Sequence, residues 1–317
     1  MLTEDAMPEA TQAECIADYD CETGENPLWH PMERKLYWTD IPAGRMFRYD
    51  PATGIHEQCY QGRPVGGFTV QSDGSLLLFM DRGTVANWRD GVLTEVLAEI
   101  EDERNSRFND VIADPRGRVF CGTMSSEERK GSLYRLDLDG SIHRLLTDIQ
   151  CSNGMAFTPD QKGFYYTDSL AREIYFFDYN IEDGSISNQR VFVRFEEADG
   201  FPDGATLDAD GHLWTALWSG ACVARLDARG RIETKLPLPT RKITSLTFGG
   251  DDLTDLYITS AWELTKEQDG PFAGALFRWR GQGQGVPEFF SRIPVPAAAV
   301  MDSTTELKTG KQKWEKP

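Results

Sequence analysis

The chain has 317 residues, with 33 Lys+Arg against 51 Asp+Glu and a formal net charge of −18. So few basic residues exclude recognition of a phosphate backbone and attraction to an anionic membrane surface, while 40% hydrophobic and 11% aromatic residues provide for a sizeable core. The richest apolar run, residues 293–300, is too short to span a bilayer, and the acidic N-terminus lacks an apolar leader, so a cytoplasmic location is expected.

In chain order, a polar turn followed by a short aromatic or β-branched run recurs. The runs are 35–40, 75–79, 118–123, 164–168, 212–216 and 255–260. Turn residues such as Asp73-Gly74 and Asp210-Gly211 precede most of them. A second run follows each: 46–50, 85–88, 133–137, 174–178, 223–227 and 276–279. The period is roughly 40 to 50 residues and fits about six times. Short strands without helical periodicity predict an all-β fold, a six-bladed β-propeller with four antiparallel strands per blade. One domain spans residues 1–300. The first two dozen residues and the segment 286–295 are expected to supply ring-closing strands, and 301–317 reads as a polar tail. The six cysteines form no Cys-x-x-Cys pair and are expected to be reduced.

In a propeller, the position just before each innermost strand lies at the mouth of the central channel. At that phase stand Glu25, Asn109, Asn153 and Asp203. Pro-Asp-Gly and Ser-Asn-Gly are also ordinary turn tripeptides. Four oxygen-bearing side chains at one repeat phase weigh towards a site, because converging carboxylates call for a cation. Such hard donors suit one divalent metal ion. The four histidines lie in different repeats without paired spacing, which argues against a His-ligated metal. No Gly-x-Ser-x-Gly elbow is present. What remains is metal-assisted chemistry with a carboxylate base.

The ordered blocks Gly24-Glu-Asn-Pro-Leu-Trp29, Arg107-Phe-Asn-Asp110, Cys121-Gly-Thr-Met124, Gly131-Ser-Leu-Tyr134, Ser152-Asn-Gly-Met155, Tyr165-Tyr-Thr-Asp168, Pro202-Asp-Gly204 and Leu256-Tyr-Ile-Thr-Ser260 resemble the senescence marker protein / gluconolactonase / regucalcin-like family of six-bladed propellers. The stretches 212–218 and 246–250 look most like its bacterial sugar-lactonase branch, which includes xylonolactonases and arabinonolactonases. The resemblance implies a divalent metal (Ca²⁺, Mg²⁺, Mn²⁺, Zn²⁺ or Fe²⁺) on Glu25, Asn153 and Asp203, with Asp203 also the base acting on water. It implies that Asn109 touches substrate or a water on the metal, that Arg107 binds sugar or lactone oxygens, and that Glu127 offers a substrate-contacting carboxylate. Trp29, Trp218 and Trp262 are candidates for pocket walls. The expected function is a metal-dependent hydrolase opening sugar lactones to aldonic acids. The partner is a small sugar lactone, without nucleic acid or membrane, and the protein is a monomer or small homo-oligomer. The alternatives are a propeller phosphotriesterase or arylesterase, and a non-catalytic calcium-binding regulatory propeller.

Overall fold

Each aromatic run bounded by Asp or Gly turns folds as a strand within two residues of its expected limits, and hairpins join successive strands. The computed structural model describes residues 12–263 and 265–297. A first strand, β1 (Glu14–Asp18), precedes four separate four-stranded antiparallel blades. The first blade is β2–β5 (Gly24–His30, Lys35–Asp40, Arg45–Asp50, Ile55–Gln61). The second is β6–β9 (Val65–Val70, Leu76–Met80, Val85–Arg89, Val92–Leu97). The third is β10–β13 (Phe108–Ala113, Val119–Thr123, Gly131–Leu136, Ile142–Ile149). The fourth is β14–β17 (Ser152–Phe157, Gly163–Asp168, Glu173–Tyr179, Ile186–Arg194).

The strands β18–β21 (Phe201–Leu207, Leu213–Trp218, Cys222–Leu226, Ile232–Pro237) and β22–β24 (Lys242–Gly249, Asp255–Ala261, Ala275–Arg280) join β1 in a single eight-stranded sheet. The junction is one pair, Trp218 opposite Lys242. The expectation of six separate four-stranded blades is therefore corrected: the hydrogen bonding gives four discrete blades and one eight-stranded sheet. Strand β1 closes the ring on β24, with Glu14 opposite Arg278. The other expected closing segment, 286–295, forms no strand. Pro287 and Pro294 have no N–H to offer a ladder, and only Ser291 bridges, to Gln71. The expected tail 301–317 lies outside the described residues.

Burial falls from the channel outward. Strands β6 and β14 are buried throughout, whereas β5 and β17 are mostly exposed. The apolar clusters sit between neighbouring sheets: Tyr37 and Met46 of the first blade pack with Phe68 and Leu78 of the second. Each such large side chain contributes about 1.5–3 kcal/mol by its burial. The Trp-Thr-Asp and Tyr-Thr-Asp repeats have a backbone reason. Asp40 accepts from the Thr23 N–H at 3.1 Å, and Asp168 from the Cys151 N–H at 3.0 Å, which anchors the chain as it enters an inner strand. All six cysteines are free thiols. Among the described residues no helix is long and apolar enough to cross a membrane.

Candidate functional site

The innermost strands β2, β6, β10, β14, β18 and β22 pack side by side around one channel, and each carries a register break at the same phase. The breaks fall at Glu25/Leu28, Val65/Gly67, Phe108/Val111, Asn153/Met155, Pro202/Ala205 and Ile243/Ser245. A bulge adds one residue to a strand and re-aims its side chain. The candidate residues Glu25, Asn109, Asn153 and Asp203 all fall at these breaks. The strands approach closely there. A Cβ on Gly154 would lie 2.4 Å from the Asp203 carbonyl oxygen, and one on Gly204 would lie 2.1 Å from Ser245 Oγ.

Glu25, Asn109, Asn153 and Asp203 are each at most 1% exposed. A chain of amide hydrogen bonds orients two of them. Arg107 Nη1 donates to Asn109 Oδ1 at 2.6 Å, and Asn109 Nδ2 donates to Asn153 Oδ1 at 2.5 Å. Asn153 Nδ2 in turn donates to Ser169 Oγ at 2.7 Å. This fixes each amide with its oxygen towards the preceding donor. Glu25 Oε2 accepts from the Asn26 N–H at 3.1 Å, and the Asn26 amide clasps the Phe68 backbone, tying the first blade to the second. Burial lowers the Arg107 guanidinium from its ordinary range, against the opposing fields of Cys151, Glu25, Asp110 and Asp203. Arg107 is thus a cation sharing its field with both carboxylates of the ring.

This donor set fits a divalent cation. Two carboxylates and an amide oxygen are hard donors, and their burial makes uncompensated charge costly. Arg107 is 6% exposed and spends its Nη1 on Phe108 O and Asn109. Glu127 is not in the buried ring. It is exposed on the loop between β11 and β12, where its neighbour Glu128 accepts from Asn105. Trp29 lines the channel below the ring, while Trp218 lies under the Lys242 ammonium at 4.6 Å. Sequence reasoning missed Ser169, which follows Asp168 at the end of a recurrent strand motif.

A second acidic group, Asp208, Asp210 and His212, brings its ligand atoms within 4.8 Å of one another. Arg225 already occupies it, donating to Asp208 Oδ2 at 2.9 Å and meeting His212 Nδ1 at 2.8 Å. Burial raises the Asp208 carboxyl, but hydrogen bonds from Trp214, His212 and Arg225 outweigh it and hold the group below the usual range. A resident guanidinium makes this an ion-pair cluster closing the β18–β20 hairpins.

Residues 23–262 match the family described as the SMP-30/Gluconolactonase/LRE-like region. A pentonolactonase of Haloferax volcanii is 47% identical over 285 residues, covering 88% of this chain and 97% of that protein. A solved luciferin-regenerating enzyme superposes with a TM-score of 0.81 at 28% identity, covering 89% of this chain and 99% of that one. A solved calcium-binding regucalcin from Agrobacterium tumefaciens gives 0.80 at 26% identity, covering 89% and 97%.

Proposed function

The chain belongs to the SMP-30/gluconolactonase/LRE-like family, and from that premise we propose that it is a metal-dependent sugar lactonase opening aldonolactones, pentonolactones foremost, to aldonic acids. The similarity to a pentonolactonase over nearly the full length of both chains supports the reaction. The observation that carries the site is the buried ring of Glu25, Asn153 and Asp203 beside the Arg107–Asn109 pair.

Glu25, Asn153 Oδ1 and Asp203 would hold one divalent cation, which when bound supplies positive charge to polarise the lactone carbonyl and offset the oxyanion. Asp203 takes a proton from the attacking water as the new C–O bond forms. The ester bond to the ring oxygen then breaks, and Asp203 returns its proton to that oxygen, which leaves as a hydroxyl and frees the carboxylate for the next turnover. The product carboxylic acid ionises, so each turnover releases one proton at neutral pH. Arg107 steadies Asn109, whose Nδ2 is committed to Ser152 O and Asn153 Oδ1 and whose Oδ1 has a second lone pair for a substrate hydroxyl. Glu127, from its exposed loop, would meet a sugar hydroxyl at the rim.

The test is a pH-drop assay on a panel of aldonolactones, with and without chelator. We expect activity that chelator abolishes and that Asp203→Asn lowers by about 10²–10⁴-fold, the usual worth of a positioned base. Metal analysis accompanies each sample. An Asp203→Asn protein that retains metal and full turnover would remove Asp203 as base. Cation binding without turnover of any lactone would leave the protein a cation-binding relative.

A further inference from the structure

Below the ring the channel holds a cavity of about 350 Å³ that the lactonase reading does not use. Its roof is formed by Asn26 and Asp110, the residues following Glu25 and Asn109. Its floor is the segment 286–290, which crosses the far end of the channel. That segment is pinned at both ends: Gly285 bridges Asp208 after β18, and Ser291 bridges Gln71 after β6. The Gln71 side chain also donates to Ile293 O at 2.8 Å and accepts from its N–H at 3.0 Å. Exposed Pro31, Asp251 and Pro287 mark where solvent reaches the cavity.

The wall has two chemical characters. Most of it is hydrocarbon, including Trp29, Phe68, Ile112, Met155, Phe248 and Phe290. Its charged groups are all acids, Asp110, Asp251 and Glu288, and no lysine, arginine or histidine is among the described residues that line it. Asp251 is paired with Arg34 at the surface. Glu288 sits in the floor segment, and burial alone pushes its carboxyl up to about 7. A cavity of about 150 Å³ suffices for benzene, so this one has room for an aromatic ring with a short tail. An apolar box with acids and no cations repels anions and leaves a sugar's hydroxyls without partners on most of its wall. An ammonium head would meet a carboxylate, and its aryl body would replace water against Trp29 and Phe248.

We propose that the lower half of the central channel is a second binding site, for a small arylalkyl ammonium cation, with Glu288 receiving the ammonium group and the aromatic wall holding the ring. The site stands independently of the lactonase reading, since none of its groups belongs to the ring above.

The probe is 2-phenylethylammonium, titrated into the full chain by calorimetry, with the change in tryptophan fluorescence that Trp29→Phe removes as a second readout. We expect saturable one-to-one binding, weakened roughly tenfold or more by Glu288→Gln, and not displaced by excess aldonolactone. The matched anion, 2-phenylethanesulfonate, should not bind. Binding of the wild type should strengthen as pH rises through about 7. The amine remains charged over that range, its ordinary pKa being near 10. The other titratable groups facing the cavity are Asp110 and Asp251, the latter with Arg34. This pH arm needs no variant, so it decides even if Glu288→Gln fails to fold. Absent saturable binding, equal affinity in Glu288→Gln, or competition with lactone would each overturn the proposal. Loss of lactonase activity elsewhere would not touch it.

Discussion

Asn109 holds the candidate site together by donating and accepting at once. Its amide takes Arg107 on one side and gives to Asn153 on the other, and it also donates to Ser152 O at 2.8 Å. Removing that amide leaves a buried guanidinium N–H and a buried carbonyl unsatisfied, each worth about 1–3 kcal/mol. Asn109→Ala is therefore expected to lower kcat/KM by roughly 10- to 100-fold and to weaken metal binding, read by steady-state kinetics and by titration of the metal-stripped protein. Glu25, Asn109, Asn153 and Asp203 were legible in the sequence because one repeat phase puts each in the same local geometry. Ser169 was not, because its role depends on where the Asn153 amide points, which no spacing reports. The adjacent acids Glu127 and Glu128 were readable as a solvated loop, and the loop between β11 and β12 does leave Glu127 exposed.

At the scale of the element, the inner strands need glycine where they crowd. Gly154→Ala forces a methyl against the Asp203 carbonyl, so we expect about 1–3 kcal/mol of destabilisation, measured by denaturant unfolding, together with displaced Asp203. The floor segment 286–290 carries its own pH signature. The Glu288 carboxyl, raised by burial from an ordinary 4.5 to about 7 in the folded chain, keeps its proton to higher pH there than in the unfolded chain. The folded state thus binds more protons between those values, and stability from this group is full below the lower one and lost as pH rises through the upper. Glu288→Gln should flatten the decline in thermal stability from pH 5 to pH 8, as followed by calorimetry. The segment 286–295 reads as a strand from its apolar content, yet its prolines turn it into a strap bound by side chains. Composition saw the hydrophobicity and missed the lost donors.

For the molecule as a whole, closure rests on β1, paired to β24 and tied by Glu14 to Arg278 at 2.8 Å. A chain beginning at Tyr19 would expose the β24 edge, an invitation to aggregate. We expect a lower Tm and concentration-dependent association, seen by light scattering. Periodicity revealed hairpins repeating about an axis because each hairpin repeats its own turns and runs. It could not reveal that the last two groups share one sheet. That junction is a single pairing of Trp218 with Lys242, reinforced by the ammonium over the indole ring, and nothing repeats in it.

The recurrent bulges carry a consequence for how such a site changes over time. Each inserts its extra residue into one inner strand, and regular pairing resumes, offset by one residue, to the end of that strand. The outer ladders never sense which side chain the bulge presents. A swap of carboxylate for amide at one position is thus a local edit, leaving neighbouring sheets to keep their own contributions. The channel mouth behaves as a set of separately writable addresses, and selectivity can drift at one of them while the scaffold stands still.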